Sequence, residues 1–93
     1  MAIYAVNYFY DSNADVAGIR PDHRAYCAQL VTEGKLLASG PFVDVAQDSA
    51  LLIFTGETRE DVEKLVQADP MHTGGALANY TITQWNTVMG VFN

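Results

Sequence analysis

Ala2 to Tyr10 is a nine-residue run, Ala-Ile-Tyr-Ala-Val-Asn-Tyr-Phe-Tyr, with no glycine or proline. Its β-branched and aromatic residues predict a strand. Ile3, Ala5 and Phe9 fall on one face, and Tyr4, Val6, Tyr8 and Tyr10 fall on the other. A strand with one wet face alternates apolar and polar residues. This one is apolar on both sides, so both faces need cover. The rest of the chain, 93 residues in all, has room for one domain with a single modest core.

The following elements supply that cover in an ordered way. Asp11 to Ile19 is polar and reads as a connection. Helix A is expected from Arg20-Pro21-Asp22-His23, because proline suits a first turn and Asp22 is a good N-cap. His23, Cys27, Leu30 and Val31 then form a stripe at helical spacing, and Gly34 ends the helix. Lys35 to Ser39 reads as a second strand stopped by Gly40-Pro41, and Phe42 to Asp48 as a loop. Ser49 to Thr55 is a third strand centred on Leu51-Leu52-Ile53-Phe54. Thr58 and Asp61 resemble a capping box ahead of helix B, expected over Arg59 to Ala68. Pro70 ends it, since the residue before a proline is pushed out of the α region. Met71 to Gly75 is expected as a turn, Ala78 to Asn86 as a fourth strand, and Thr87 to Asn93 as a tail.

Composition narrows the function. Apolar residues make up 49% of the chain and charged residues 17%, which argues for a folded globule. Net charge is −6, and the five basic residues, Arg20, Arg24, Lys35, Arg59 and Lys64, form no cluster. A nucleic-acid partner is therefore not expected. No apolar run reaches membrane-spanning length, and no basic segment precedes an apolar one at the N-terminus, so neither a membrane nor a signal peptide is expected. The single cysteine, Cys27, cannot form an internal disulfide, and a reducing cytoplasm is the default. It falls mid-helix among apolar neighbours, where a small core residue is the favoured reading over a reactive thiol.

The order β-α-β-β-α-β is the split-βαβ, ferredoxin-like pattern of the α+β class. Right-handed crossovers put both helices on one face of a four-stranded antiparallel sheet. One edge of the sandwich then gathers the end of strand 1, the start of helix A, the end of strand 2 and the end of helix B. That edge carries His23, Ser39-Gly40-Pro41 and Asp69. Asp69 is unusual where it stands. It extends the stripe Val62, Leu65 and Val66 of helix B, and it lies at a helix C-terminus, where the macrodipole disfavours an acid. His23 is the candidate partner that topology brings to it. A carboxylate on one imidazole nitrogen fixes the tautomer and leaves the other nitrogen free as a base. On His23 a helix N-terminus and an adjacent acid act in opposite directions. Gly40 lets a ligand approach the backbone. The same pair would also serve as a structural tie between two helix ends. His72 would complete a metal triad with His23 and Asp69, but no ligand-spacing motif supports one, and no metal or cofactor is expected.

Two helices cover one sheet face only. The other face carries apolar residues of strands 1 and 3, and the tail adds Met89, Val91 and Phe92. Such a face implies an interface, most simply a homodimer about a two-fold axis through the helix-free face.

Several short motifs occur together in this order: Arg20-x-x-His23; Glu33-Gly34-Lys35-Leu36-Leu37 followed by Ser39-Gly40-Pro41; Ala68-Asp69-Pro70; Gly75; and a last strand closing on Gln84-Trp85. Over residues 2 to 92 the chain resembles the YCII-related (YciI-like) family. The resemblance implies a dimeric α+β barrel (dimeric α/β barrel) made of two ferredoxin-like halves. It implies a His–Asp pair in a cleft, falling on His23 and Asp69, with Arg20, Gly40 and Pro41 at its rim beside Ser39. An enzyme type similar to this family dehalogenates chloromuconolactones, and related barrels isomerise muconolactone. The implied chemistry is proton abstraction next to a carbonyl by His23, oriented by Asp69, on a small organic acid or lactone whose carboxylate Arg20 would meet. Two departures are visible. The residue after Asp69-Pro70 is often aromatic in the family and is Met71 here, and the Asp11–Ile19 loop carries no diagnostic ligand. The competing expectation is a non-catalytic dimeric module that binds a small metabolite or a partner protein through the same cleft.

Overall fold

The computed structural model describes every residue from Met1 to Asn93. The elements are β1 (Ala2–Tyr10), α1 (Val16–Thr32), β2 (Leu36–Pro41), β3 (Ser49–Gly56), α2 (Arg59–Gln67), α3 (Pro70–Thr73) and β4 (Leu77–Gln84). The four strands form one antiparallel sheet in the order β2-β3-β1-β4, which is the ferredoxin-like α+β arrangement. β1 is central, pairing with β3 on one side and β4 on the other. Its run of aromatic and β-branched residues suits that place. No helix is long and apolar enough to cross a membrane.

The core lies between the sheet and the helices. Tyr4, Val6, Tyr8 and Tyr10 of β1 pack there with Leu52 and Phe54 of β3, Cys27 and Leu30 of α1, Val62 and Val66 of α2, and Met71 of α3. Register explains the grouping: Tyr4 is opposite Phe54, Val6 opposite Leu52, and Tyr8 opposite Ala50, so these side chains share a face. The Tyr26 hydroxyl donates to the Leu65 carbonyl at 2.7 Å and ties α1 to α2.

Several features differ from expectation. α1 begins at Val16, not at Arg20, because Asp15 caps it: its side chain accepts from the Gly18 N–H at 3.0 Å. Pro21 therefore lies inside the helix. The hydrogen bond it cannot make would have reached the carbonyl of Ala17, and both residues are solvent-exposed, so water can serve that carbonyl. β2 does not stop before Gly40-Pro41 but runs through them. β2 is an edge strand, where a missing N–H costs little. Val31 is exposed, and the buried stripe of α1 is Cys27 and Leu30 with His23 half-buried. The expected turn after Asp69 is instead the short helix α3, with Pro70 in its first turn. Thr58 caps α2 as expected, accepting from the Asp61 N–H at 3.2 Å.

The helix-free face is mixed. Ile3, Ala5, Phe9 and Leu51 stand there half-buried, beside Asn7, which reaches Thr81 at 3.4 Å. In the tail, Val88, Met89 and Val91 are 78%, 86% and 91% exposed, while Phe92 lies edge-on to Trp85.

Candidate functional site

Asp69 is 1% exposed, and its carboxylate is fully engaged. Its position between two helices accounts for this. α2 ends at Gln67, the chain turns through Ala68, and Asp69 adopts an extended backbone (φ −66°, ψ 133°) as the N-cap of α3. Its Oδ1 accepts from the Met71 N–H at 2.9 Å. The acid that looked misplaced at the end of one helix thus caps the start of the next.

His23 meets it from α1. His23 Nδ1 lies 2.8 Å from Oδ1 and 2.9 Å from Oδ2 of Asp69. The Tyr8 hydroxyl donates to Oδ2 at 2.8 Å from the middle of the sheet. A carboxylate only accepts, so Nδ1 carries a proton and the neutral ring keeps its lone pair on Nε2. His23 lies two turns into α1, beyond the first turn in which a helix N-terminus exerts its field. Tyr8 is raised far above the ordinary tyrosine range, first by burial and then by the Asp69 charge, and stays a hydrogen-bond donor.

Cys27 follows His23 by one turn, with its Sγ 3.7 Å from both ring nitrogens. Burial, and then the Asp69 charge, push its thiol up to about 12. A thiol so raised is not a nucleophile at neutral pH. His23, Cys27 and Asp69 place three ligand-type atoms within 4.8 Å of one another. The Asp69 oxygens are already taken by Tyr8, His23 and the Met71 N–H, so a cation would have to break those bonds. His72 does not join this group: it lies in α3 with its ring edge-on to Tyr80, centroids 5.9 Å apart.

His23 opens on a cleft of about 290 Å³. Arg20, Ser39, Gly40 and Pro41 line it too, so topology brings all the residues expected at this edge, other than the buried Asp69, to one hollow. A Cβ at Gly40 would meet nothing within 4 Å, so the glycine leaves its side of the cleft open. Tyr10 and Arg24 also line the cleft, and the sequence reading passed over both. Arg24 is one turn on from Arg20, which was signal enough. Tyr8 was missed as well. A tyrosine on the buried face of a central strand needs a partner for its hydroxyl, and that rule points to Asp69. A larger hollow of about 610 Å³, lined by Tyr10 on its other side and by Asp11, Asp15 and Asp48, does not include His23.

The YCII-related domain model matches residues 1–86. The chain belongs to the YCII-related family. A search of the curated proteins finds no match. Among solved structures, this YCII-related chain is similar to 5-chloro-2-hydroxyhydroquinone dehydrochlorinase from Burkholderia phenoliruptrix, solved in complex with 2,5-dihydroxybenzoquinone. That likeness has a TM-score of 0.79 and 18% identity over 90% of this chain and 93% of that one. It is also similar to an antibiotic biosynthesis monooxygenase (TM-score 0.60, 18% identity, 96% and 100% covered). A NIPSNAP domain protein from Burkholderia xenovorans is a third (TM-score 0.61, 12% identity, 95% of each chain covered). At these identities the likeness concerns the fold alone, the ferredoxin-like α+β arrangement described above.

Proposed function

We propose that this YCII-related protein is a small enzyme of the lyase or isomerase type, acting on an organic acid or lactone by proton abstraction with His23 and Asp69. The observation that carries the reading is the bond from His23 Nδ1 to a fully buried carboxylate, 2.8 Å long, beside an open cleft. A tie between helices needs no cleft next to it, and a general base does.

In this reading His23 Nε2 takes the proton from the carbon next to a carbonyl. The C–H electron pair passes to the carbonyl oxygen as an enolate. Asp69 stabilises the imidazolium that forms and holds the ring. In an isomerisation the proton returns at another carbon. In an elimination the pair forms a carbon–carbon double bond and a leaving group such as chloride departs with its own bonding pair. Arg20 pairs with the substrate carboxylate. The dehydrochlorinase that shares this fold supports the elimination branch by its own activity.

The test is turnover of chlorinated hydroxyquinols and unsaturated lactones by the wild type, His23→Gln and Asp69→Asn. His23→Gln should abolish turnover and keep the urea midpoint. An unfolded His23→Gln, or a wild type with no turnover that still binds these compounds, would favour a structural pair or a binding module. The protein is further read as a homodimer through its helix-free sheet face, supported by the half-buried apolar residues there and the exposed apolar tail.

A further inference from the structure

Tyr10 is 7% exposed, yet its hydroxyl makes no hydrogen bond to any protein group, unlike those of Tyr8, Tyr26 and Tyr80. A buried tyrosine hydroxyl with no partner costs stability that a phenylalanine would not. No sealed side-chain oxygen or nitrogen in the chain lacks a partner, so the Tyr10 oxygen is not sealed. It opens where Tyr10 lines the surface, and Tyr10 lines both the His23 cleft and the larger hollow beside it; the charges of Asp69 and Arg20 that act on the phenol lie on the His23 side. Its ring is held edge-on to Tyr8, with centroids 6.3 Å apart. Tyr8 in turn holds Asp69. Tyr10 therefore borders the hollow onto which the proposed base opens, with its ring held in place by Tyr8.

The charge around it is lopsided. The ion pairs of the chain are His23–Asp69, Lys35–Glu33 and Arg59–Glu63, which leaves Arg20 and Arg24 without an acid partner. Both line this cleft, in a protein of net charge −6, and no carboxylate lines it with them. Arg20 is close enough to Tyr10 to favour the ionised phenol, although burial and Asp69 outweigh it. Two unpaired guanidinium groups and a tyrosine with an unpaired hydroxyl thus border the same small hollow, and all carry donors.

We propose that Tyr10 contacts the substrate in the His23 cleft, its O–H donating to the oxygen that becomes negative as the proton leaves, with Arg20 and Arg24 holding the anion, so that the substrates are small planar oxyanions or enolisable carbonyl acids. This rests on the reading of the His23 cleft as the ligand site. Tyr10 transfers no proton in this step: the C–H pair moves onto the carbonyl oxygen, the proton goes to His23 Nε2, and the hydroxyl hydrogen-bonds the new charge. Its hydroxyl, pushed up to about 12 by burial and then by Asp69, remains a donor at neutral and mildly alkaline pH.

The experiment uses 4-nitrophenolate, a planar coloured oxyanion, at mildly alkaline pH, with nitrobenzene as its uncharged counterpart. Wild-type protein should bind the phenolate and shift its band to shorter wavelength, and nitrobenzene should not compete. Tyr10→Phe, with its urea midpoint no lower than that of the wild type, should weaken binding about tenfold or more, the usual effect of losing a hydrogen bond to a charged group. Arg20→Gln should weaken it comparably. His23→Gln should still bind. Equal binding by Tyr10→Phe and wild type, or no binding by wild type, overturns the inference. The two readings separate cleanly. Tyr10-dependent binding without turnover of any substrate keeps the anion site and removes the reaction. Turnover lost in His23→Gln but untouched in Tyr10→Phe keeps the reaction and removes this role.

Discussion

The Tyr8 hydroxyl donates to Asp69 Oδ2 at 2.8 Å, across 61 residues of sequence, on the opposite side of the carboxylate from the Met71 N–H on Oδ1. β1 and the start of α3 thus clamp the carboxylate that His23 approaches from α1.

Removing the Tyr8 donor leaves a buried carboxylate one partner short. Tyr8→Phe should destabilise the fold by about 1–3 kcal/mol, the cost of leaving a buried acceptor unsatisfied. The ring stays, so packing against Tyr10 and His23 is kept. Urea unfolding measures it. A loss under about 0.5 kcal/mol would mean that the bond adds nothing to the clamp.

The Asp69 carboxylate selects the tautomer of His23. Nitrogen-15 spectra of the imidazole should show the Nδ1–H form dominating when the ring is neutral. Asp69→Asn can still accept from the Met71 N–H as an N-cap, so α3 should persist. Its amide no longer demands a donor at Nδ1, and the Nε2–H form should grow. An unchanged tautomer ratio in Asp69→Asn would remove the orienting role.

Alkaline pH should unfold the protein earlier than its acids alone would suggest. The Cys27 thiol is pushed from 9.0 to about 12, and the Tyr10 and Tyr26 hydroxyls from 10.0 to about 12, in each case first by burial and then by Asp69. Each raised group holds its proton in the folded state after the unfolded chain has lost it. The stability tied to these protons is complete below pH 9.0 and is lost as pH rises towards about 12. Each group contributes at most about 1.4 kcal/mol per pH unit, and the more open Tyr26 contributes less. Urea midpoints should be flat up to the lower limit of that window and then fall. Cys27→Ala should fall less steeply. The same protonated thiol should react slowly with iodoacetamide at neutral pH.

The helix-free face should hold a second copy. Sedimentation should give twice the 10.2 kDa chain mass at micromolar concentration. Phe9→Lys puts a charge on that face, opposite Ser49 and Asn79, and should give folded monomers. A monomeric wild type would exclude the interface.

The alternation of strand and helix patterns was enough to reach the topology, because crossover handedness leaves few ways to arrange four strands and two helices. That order alone sends His23, Ser39, Gly40, Pro41 and Asp69 to one edge. The start of α1 was misread because Pro21 and Asp22 form a stronger local signal than Asp15 and Gly18, and only the packed helix shows which cap was used. The role of Asp69 was half legible. Its pairing with His23 followed from chain order, but its place as N-cap of α3 depended on a four-residue helix too short to leave a periodic pattern.

What the sequence determined by itself is the four strands and the two longer helices, their order and the edge where the chemistry-bearing residues meet. These follow from side-chain period and backbone preference, which act over a few residues. What only the tertiary structure decided is which atoms touch: Tyr8 on Asp69, Tyr10 beside Arg20, and the thiol of Cys27 under the ring of His23. Those contacts across the layers depend on strand register and on how the helices dock on the sheet. They are set by the packing of the whole core, and no local stretch encodes them.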